Sequence, residues 1–262
     1  MAAQYGPHRW SAGYHDDGSN GAFRGATFTV ADLTDATFLD CDMTNVKVVD
    51  SWLVGVDVSG YVDRFTVNGV DITDFVAGEL DRRHPERVQL REIADADDFR
   101  AMWDTVERLW SDVVVRAERL PESALDERVD DEWSFVETLR HLVFITDSWL
   151  SRTILDEAMP YDRLGLPQTA YAPTDAAELG IDIDARPSYA EVMRRRADRV
   201  ALVRRIVDGL ADADLGRMCM RSPAPGYPDE ARPVGECLGV VMEEECAHLR
   251  YAVRDLAVLE SR

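Results

Sequence analysis

The sequence has almost no lysine. Lys47 is the only lysine among 29 basic residues, and all the others are arginine. Arginine and alanine have GC-rich codons whereas lysine does not, so this bias indicates a GC-rich genome. Cysteine is also sparse, and the four residues Cys41, Cys219, Cys237 and Cys246 form no CxxC pair. We therefore expect free thiols rather than a disulfide framework.

Long apolar runs are absent as well. No stretch approaches the roughly 20 residues that a transmembrane helix needs, and residues 1–8 lack the basic start and apolar centre of a signal peptide. We expect a cytoplasmic protein that has no membrane partner. The net charge of -21 repels a phosphate backbone, and the arginine runs at 194–196 and 204–205 lie among acidic residues. We therefore expect no nucleic-acid partner.

From Gly21 to Gly60 the chain divides into groups of five residues. The central residue of every group is apolar, and the residue two positions earlier is nearly always small. The central residues are Phe23, Phe28, Leu33, Phe38, Met43, Val48, Leu53 and Val58. A period of five fits neither a helix nor a strand.

This pattern resembles the pentapeptide-repeat family, whose chains wind into a right-handed quadrilateral β-helix. The resemblance implies four groups per coil and hence about two coils here, too few to bury a face alone. We expect the segment to lean on the second domain or on another subunit, as a packing or dimerisation module. A DNA-like shape, known for some members of that family, would need more coils.

The rest of the chain predicts a hairpin, a connector and a helical domain. Asn68-Gly69 between alternating apolar residues indicates the hairpin. Capping signals and apolar stripes then predict four helices, at about 96–120, 134–155, 188–209 and 233–259. The predicted fold is an α+β chain in two parts: a β-helix with hairpin and connector at 1–87, and an up-down four-helix bundle with long crossover loops at 88–262.

Two of these helices carry residues with metal-ligand chemistry. Glu244 and His248 are four residues apart, which places them on one face of a helix, and His141 lies on another helix of the bundle. Imidazoles and carboxylates are common zinc ligands. A core histidine and a simple Glu–His pair remain open as alternatives, but the apolar residues beside Glu244 and His248 indicate that they point inward, where a carboxylate needs a partner.

Residues 133–142 and 243–248 together resemble the DinB-like superfamily of metal-binding four-helix bundles. Many of its members use three histidines, one on the second helix and an HxxxH pair on the fourth. Glu244 replaces the first histidine of that pair here, as in the similar mycothiol-dependent isomerases. The resemblance implies metal ligation by His141, Glu244 and His248, with zinc as the expected divalent metal.

The resemblance also implies a function. It indicates a thiol S-transferase or thiol-dependent isomerase in which a low-molecular-weight thiol, activated as a metal-bound thiolate, attacks a small-molecule electrophile. A GC-rich genome favours mycothiol as the thiol. Tyr251 is the candidate catalytic residue, with a core aromatic as the alternative, and Arg250 and Arg254 are candidates for binding the co-substrate, with solvent exposure as the alternative. A non-catalytic stress or scaffold protein and a metal-dependent hydrolase stay open.

Overall fold

The computed structural model describes residues 23–38, 41–168, 171–225, 227–228 and 230–262. Residues 1–8, the start of the repeat at Gly21 and residues 39–40 within it therefore lie outside the described residues. No described helix is long and apolar enough to cross a membrane.

The backbone of residues 23–38 and 41–60 repeats every five residues. The last residue of each described group has a positive φ, at Gly25, Val30, Asp35, Asn45, Asp50, Gly55 and Gly60. Asp32 and Asp42 each accept the amide N–H of the threonine two residues later, at 3.1 and 2.9 Å. This regular turn chemistry accounts for the period of five that the sequence shows.

The expected β-helix is not shown. Residues 23–38 and 41–60 contain no strand, and the central side chains of the groups are exposed, from 48% at Met43 to 73% at Phe23. The hydrophobic core of the helical domain includes none of the described residues of this segment. The expectation that the segment leans on that domain or on another subunit stays a prediction. About two coils offer too few neighbouring side chains to cover one another.

The predicted hairpin is present. Strands β1 (Thr66–Val67) and β2 (Val70–Asp71) pair antiparallel across Asn68 and Gly69, which have φ values of 50° and 80°. Positive φ at both positions is the requirement of the turn that Asn-Gly favours. The connector is helical, with α1 at Thr73–Arg83 and α2 at Glu86–Arg91, so the predicted boundary at 87/88 falls within α2.

The four predicted long helices are confirmed. They are α3 (Ala96–Ala117), α4 (Phe135–Thr146, continued by a π-helical segment at Asp147–Ile154), α6 (Tyr189–Asp208) and α8 (Val234–Glu260). Asp95, Ser134 and Ser188 cap the first three through capping boxes. Short helices α5 (Pro173–Glu178) and α7 (Asp212–Leu215) lie in the connections, where β3 (Met218–Cys219) pairs with β4 (Arg232–Pro233).

The helices pack in the cyclic order α3, α6, α4, α8. Both α3 and α4 contact α6 and α8 extensively, so α3 and α4 lie on one diagonal of the bundle, and α6 and α8 on the other. The connections from α3 to α4 and from α6 to α8 therefore cross the bundle, whereas short-looped up-down bundles join neighbours. This order makes α4 and α8 neighbours and brings the two predicted ligand helices together.

Candidate metal centre

The first ligand helix, α4, begins at a pair of reciprocal hydrogen bonds. The side chain of Ser134 accepts the N–H of Glu137 at 3.2 Å, and the carboxylate of Glu137 accepts the N–H of Ser134 at 3.0 Å. These bonds satisfy two otherwise unpaired donors of the first turn and fix where the helix starts. His141 lies on the following turn and is buried.

The second ligand helix, α8, presents Glu244 and His248 toward His141. Glu244 Oε2 lies 3.2 Å from His248 Nε2 and 3.5 Å from His141 Nε2. The three donor atoms all lie within 4.8 Å of one another. Bonds of about 2.0–2.2 Å to one tetrahedral zinc ion would place its ligands about 3.3 Å apart. The spacing therefore fits a single divalent cation.

The tautomer of His141 is set by a backbone carbonyl. His141 Nδ1 lies 2.8 Å from the oxygen of Leu166, and a carbonyl only accepts, so Nδ1 carries the hydrogen. In the neutral ring Nε2 then presents a lone pair toward the Glu244 carboxylate. An outer hydrogen bond of this kind is what metal-ligating histidines use to fix their orientation.

Arg140 holds the loop that supplies this carbonyl. Its buried guanidinium donates to the oxygens of Leu164 at 2.8 Å, Asp182 at 2.8 Å and Ala185 at 2.9 Å. The Arg140 carbonyl also accepts the N–H of Leu166 at 3.2 Å. The loop between α4 and α6 is thus fastened to α4 at the residue preceding His141.

Aromatic rings enclose the two imidazoles. The ring centroid of Trp133 lies 4.7 Å from that of His141 and 5.9 Å from that of His248. Tyr251 meets His248 edge-on at 5.8 Å, and the imidazole centroids are 4.7 Å apart. Water reaches the donors only poorly, because His141 and His248 are both less than 5% exposed.

Burial and neighbouring groups shift the acid–base behaviour of these residues. Burial lowers the pKa of His248 to about 4, so its imidazole is neutral at pH 7. Burial would raise the pKa of Glu244, but the imidazoles of His141 and His248 outweigh it and hold that pKa well below its usual range. Burial, and then the charge of Glu244, raise the pKa of Glu243 to about 7. A neutral His248 imidazole and an ionised Glu244 carboxylate are therefore available to a cation beside Nε2 of His141.

The other predicted site residues lie on the same helix. Tyr251 packs on His248, and burial raises the pKa of its hydroxyl, which stays protonated at neutral pH. Arg254 pairs with Glu132 and, at 2.7 Å, with Asp255. Arg250 is half-buried and has polar interactions of its own. The binding roles of Arg250 and Arg254 stay predictions.

Three residues of the site escaped the sequence reasoning. Trp133 has the helical spacing of a core tryptophan, and it is buried, but it also forms a wall beside both imidazoles. Leu166 acts through its carbonyl, which no side-chain pattern reveals. The sequence could have indicated a role for Arg140, because an arginine within an otherwise apolar stretch of a helix must form polar contacts when it is buried.

The comparison with protein families agrees with this geometry. The model of the DinB superfamily matches residues 105–252, which is more than half of the chain. The chain therefore belongs to the DinB superfamily, and a metal-binding site within its helical bundle is compatible with that membership. No curated protein and no solved structure matches the chain.

Proposed function

We propose that this chain is a zinc-dependent thiol S-transferase that uses a low-molecular-weight thiol such as mycothiol. The observation that carries the proposal is the convergence of His141 Nε2, Glu244 Oε2 and His248 Nε2. Because the Leu166 carbonyl holds the hydrogen of His141 on Nδ1, the lone pair of His141 Nε2 faces the lone pairs of Glu244 Oε2 at 3.5 Å. A cation between them removes the repulsion.

The donor set suits catalytic rather than structural zinc. Catalytic sites use three protein ligands and keep one position open, whereas structural sites close all four. When bound, the metal supplies a Lewis acid that lowers the pKa of a thiol to give a nucleophile at neutral pH. The chain's own part is to hold the three donors, exclude water with Trp133, and orient His141 through Leu166.

Tyr251 is the candidate proton donor. Its raised pKa keeps the hydroxyl protonated at neutral pH, so it acts as a hydrogen-bond donor and not as a base. Arg250 and Arg254 are the candidates for holding the thiol co-substrate. Arg254 already pairs with Glu132 and Asp255, so a substrate anion would have to compete with two carboxylates. Arg250 and Arg254 are therefore tested by separate substitutions, each compared with the native chain for thiol binding.

The connecting loops shape the side from which an electrophile would enter. Loop residues 157–187 contribute the Leu166 carbonyl, and loop residues 211–232 meet them, because the Tyr161 hydroxyl donates to the Pro223 carbonyl at 2.7 Å. Mycothiol is the proposed thiol because the near absence of lysine indicates a GC-rich genome. A small-molecule electrophile and this thiol are the proposed partners, in the cytoplasm, without nucleic acid or membrane.

The test combines binding and turnover. Mycothiol should raise the melting temperature of zinc-loaded protein, because a ligand that binds only the folded state stabilises it. With 1-chloro-2,4-dinitrobenzene as electrophile, the sulfur–carbon bond should form as chloride leaves and the thiol proton passes to solvent. His141→Ala should abolish both effects, and glutathione serves as the comparison thiol.

Each alternative has its own outcome in this test. Metal-loaded protein that neither binds nor consumes any thiol would support the non-catalytic stress or scaffold protein. Turnover of esters or amides without thiol, lost in His141→Ala, would support metal-dependent hydrolysis at the same site. Conjugation no faster than the uncatalysed reaction, with every thiol tried, would refute the S-transferase.

We propose further that residues 21–60 form a pentapeptide-repeat module that pairs two copies of the chain. The five-residue backbone period supports the repeat, and the exposure of Val30, Trp52 and Val54, each above 85%, supports an apolar interface. Another copy of the same repeat continues the same register, as neighbouring units of a solenoid do. Light scattering should give a dimer for the native chain and a monomer for Trp52→Glu/Val54→Glu; a native monomer would refute this.

A further inference from the structure

Two cysteines meet where the connection from α6 reaches α8. Cys219 lies on β3, which pairs with β4 immediately before the helix, and Cys237 lies near the start of α8. The Val234 N–H donates to the Arg217 carbonyl at 3.0 Å and holds β3 against the helix start. The two thiols lie within hydrogen-bonding reach of each other, and no disulfide joins them. They form a dithiol pair between the loop and the second ligand helix.

The backbone holds the two side chains in the arrangement that a disulfide needs. Cysteines whose Cβ atoms point apart cannot be joined without moving the backbone. The contact between the thiols shows that Cys219 and Cys237 point toward each other. Cys219 is anchored by the pairing of β3 with β4, and Cys237 is anchored by the long helix α8.

The surroundings of the pair favour a neutral product. Cys219 is 3% exposed and Cys237 is 0% exposed, and both belong to the hydrophobic core. Burial raises the pKa of both thiols, that of Cys237 to about 12. A charged thiolate is therefore disfavoured while β3 stays in place, whereas a disulfide carries no charge.

Access to the pair depends on β3. This strand is two residues long and lies at the surface, because Met218 and Met220 on either side of Cys219 are 50% and 73% exposed. Segments with so few buried contacts open locally at a lower free-energy cost than global unfolding. Opening of β3 exposes Cys219 first, because Cys237 stays on α8. We therefore expect slow oxidation that begins at Cys219.

We propose that Cys219 and Cys237 are a redox modification site, which a low-molecular-weight disulfide oxidises to a reversible disulfide that locks the loop onto α8. Cys219 loses its proton to solvent, attacks one sulfur of the small disulfide and releases one small thiolate. Cys237, deprotonated in the same way, then attacks the Cys219 sulfur of the mixed disulfide and releases the second. The two protein sulfurs are oxidised, the two small-molecule sulfurs are reduced, and the released thiolates take up the two protons. This exchange does not depend on the chemistry assigned to the His141–Glu244–His248 centre.

The bond would close residues 219–237 into a loop. Ser222 and Pro223 lie within it, and their carbonyls accept from Arg152 at 2.9 Å and from the Tyr161 hydroxyl at 2.7 Å. A cross-link that closes a loop of this length restricts the unfolded chain, which should raise the melting temperature of a protein of this size by about 5–10 °C. Oxidation should therefore stabilise the fold and keep the two connecting loops in contact.

Glutathione disulfide tests this on the full-length, zinc-loaded protein, held overnight a few degrees below the melting temperature of the reduced chain. Cys41→Ala is the starting chain, because the exposed Cys41 would form mixed disulfides of its own. Two of its remaining thiols should disappear, and mass spectrometry of a non-reducing digest should show Cys219 linked to Cys237. The melting temperature should rise by about 5–10 °C, and a phosphine reductant should reverse both changes.

Variants then locate the bond. Cys237→Ala, made in the same chain, should stop at a mixed disulfide of glutathione with Cys219 and show no rise in melting temperature. If circular dichroism shows that Cys237→Ala is unfolded, Cys219→Ala replaces it and should likewise show no rise. The native chain with Cys41 is the matched control and should form the same link between Cys219 and Cys237.

Three results would overturn this assignment. No link between Cys219 and Cys237 after the overnight reaction would mean that the buried pair only packs. A link without a rise in melting temperature would mean that the bond does not lock the loop. The same rise in Cys237→Ala would place the stabilising modification elsewhere in the chain.

Discussion

Replacing Arg140 by methionine should loosen both the fold and the metal centre. Arg140 is 1% exposed and makes three side-chain hydrogen bonds to loop carbonyls, at 2.8–2.9 Å. Methionine fills most of the space but donates nothing. Each lost bond from a charged donor contributes about 1.5–3 kcal/mol, and the losses overlap because one loop carries all three acceptors. We expect unfolding free energy to fall by about 3–5 kcal/mol.

The same substitution should weaken zinc binding by about 10–100-fold, the usual effect of losing a group that orients a metal ligand. The loop that Arg140 fastens carries the Leu166 carbonyl, which holds His141. Urea denaturation gives the stability, and competition with a chromogenic chelator gives the affinity. Arg163→Met is the control: its side chain is 69% exposed and pairs with Asp182 on the same loop, so it should cost less than about 1 kcal/mol. If Arg140→Met matches Arg163→Met in both assays, Arg140 does not hold the loop.

Three further predictions concern charge, capping and the ligand set. Burial raises the pKa of Asp147 to about 6 despite its pairing with Arg199, so the folded state binds the proton more tightly than the unfolded state. The stabilisation of the folded state by this proton is fully present below pH 3.8 and is lost as pH rises through 6. From pH 7 to 4, the unfolding free energy of the native chain, measured by urea titration, should therefore rise by up to about 3 kcal/mol relative to that of Asp147→Asn. A difference that stays constant with pH would contradict this. Ser134→Ala and Ser188→Ala should each cost about 1 kcal/mol in thermal unfolding, because each removes a capping box; native melting temperatures would contradict it. Glu244→His should keep the metal, because an imidazole can replace the carboxylate as a ligand, but should change the rate of thiol transfer. Metal analysis and the conjugation assay measure the two effects. Loss of the metal would contradict the prediction that a histidine can take the place of Glu244.

Local chemistry in the sequence predicted the helices and the ligand triad. Ser134 with Glu137, and Ser188 with Glu191, specify helix starts through contacts within three residues, so the pattern alone is sufficient. Glu244 and His248 share a face for the same reason. The place of His141 beside them required the bundle, whose existence followed from four apolar stripes.

Contacts between distant parts of the chain were beyond that reasoning. The Leu166 carbonyl and the fastening of its loop by Arg140 depend on backbone atoms, which carry no residue identity. The pairing of Arg196 with Glu245 depends on the diagonal order of the helices, and the acidic neighbours of the arginine run at 194–196 in the sequence do not indicate it. The central side chains of the repeat at 23–38 and 41–60 are exposed because nothing covers them, and a period of five in the sequence does not encode whether a covering surface exists.

Metal analysis of the purified chain tests the central claim most directly. Protein prepared without chelator should contain about one divalent metal per chain, held by His141, Glu244 and His248. His141→Ala and His248→Ala should lose that metal while circular dichroism still reports a folded helical bundle. A folded native chain that neither contains zinc nor takes it up, or alanine variants that keep their metal, would contradict the account.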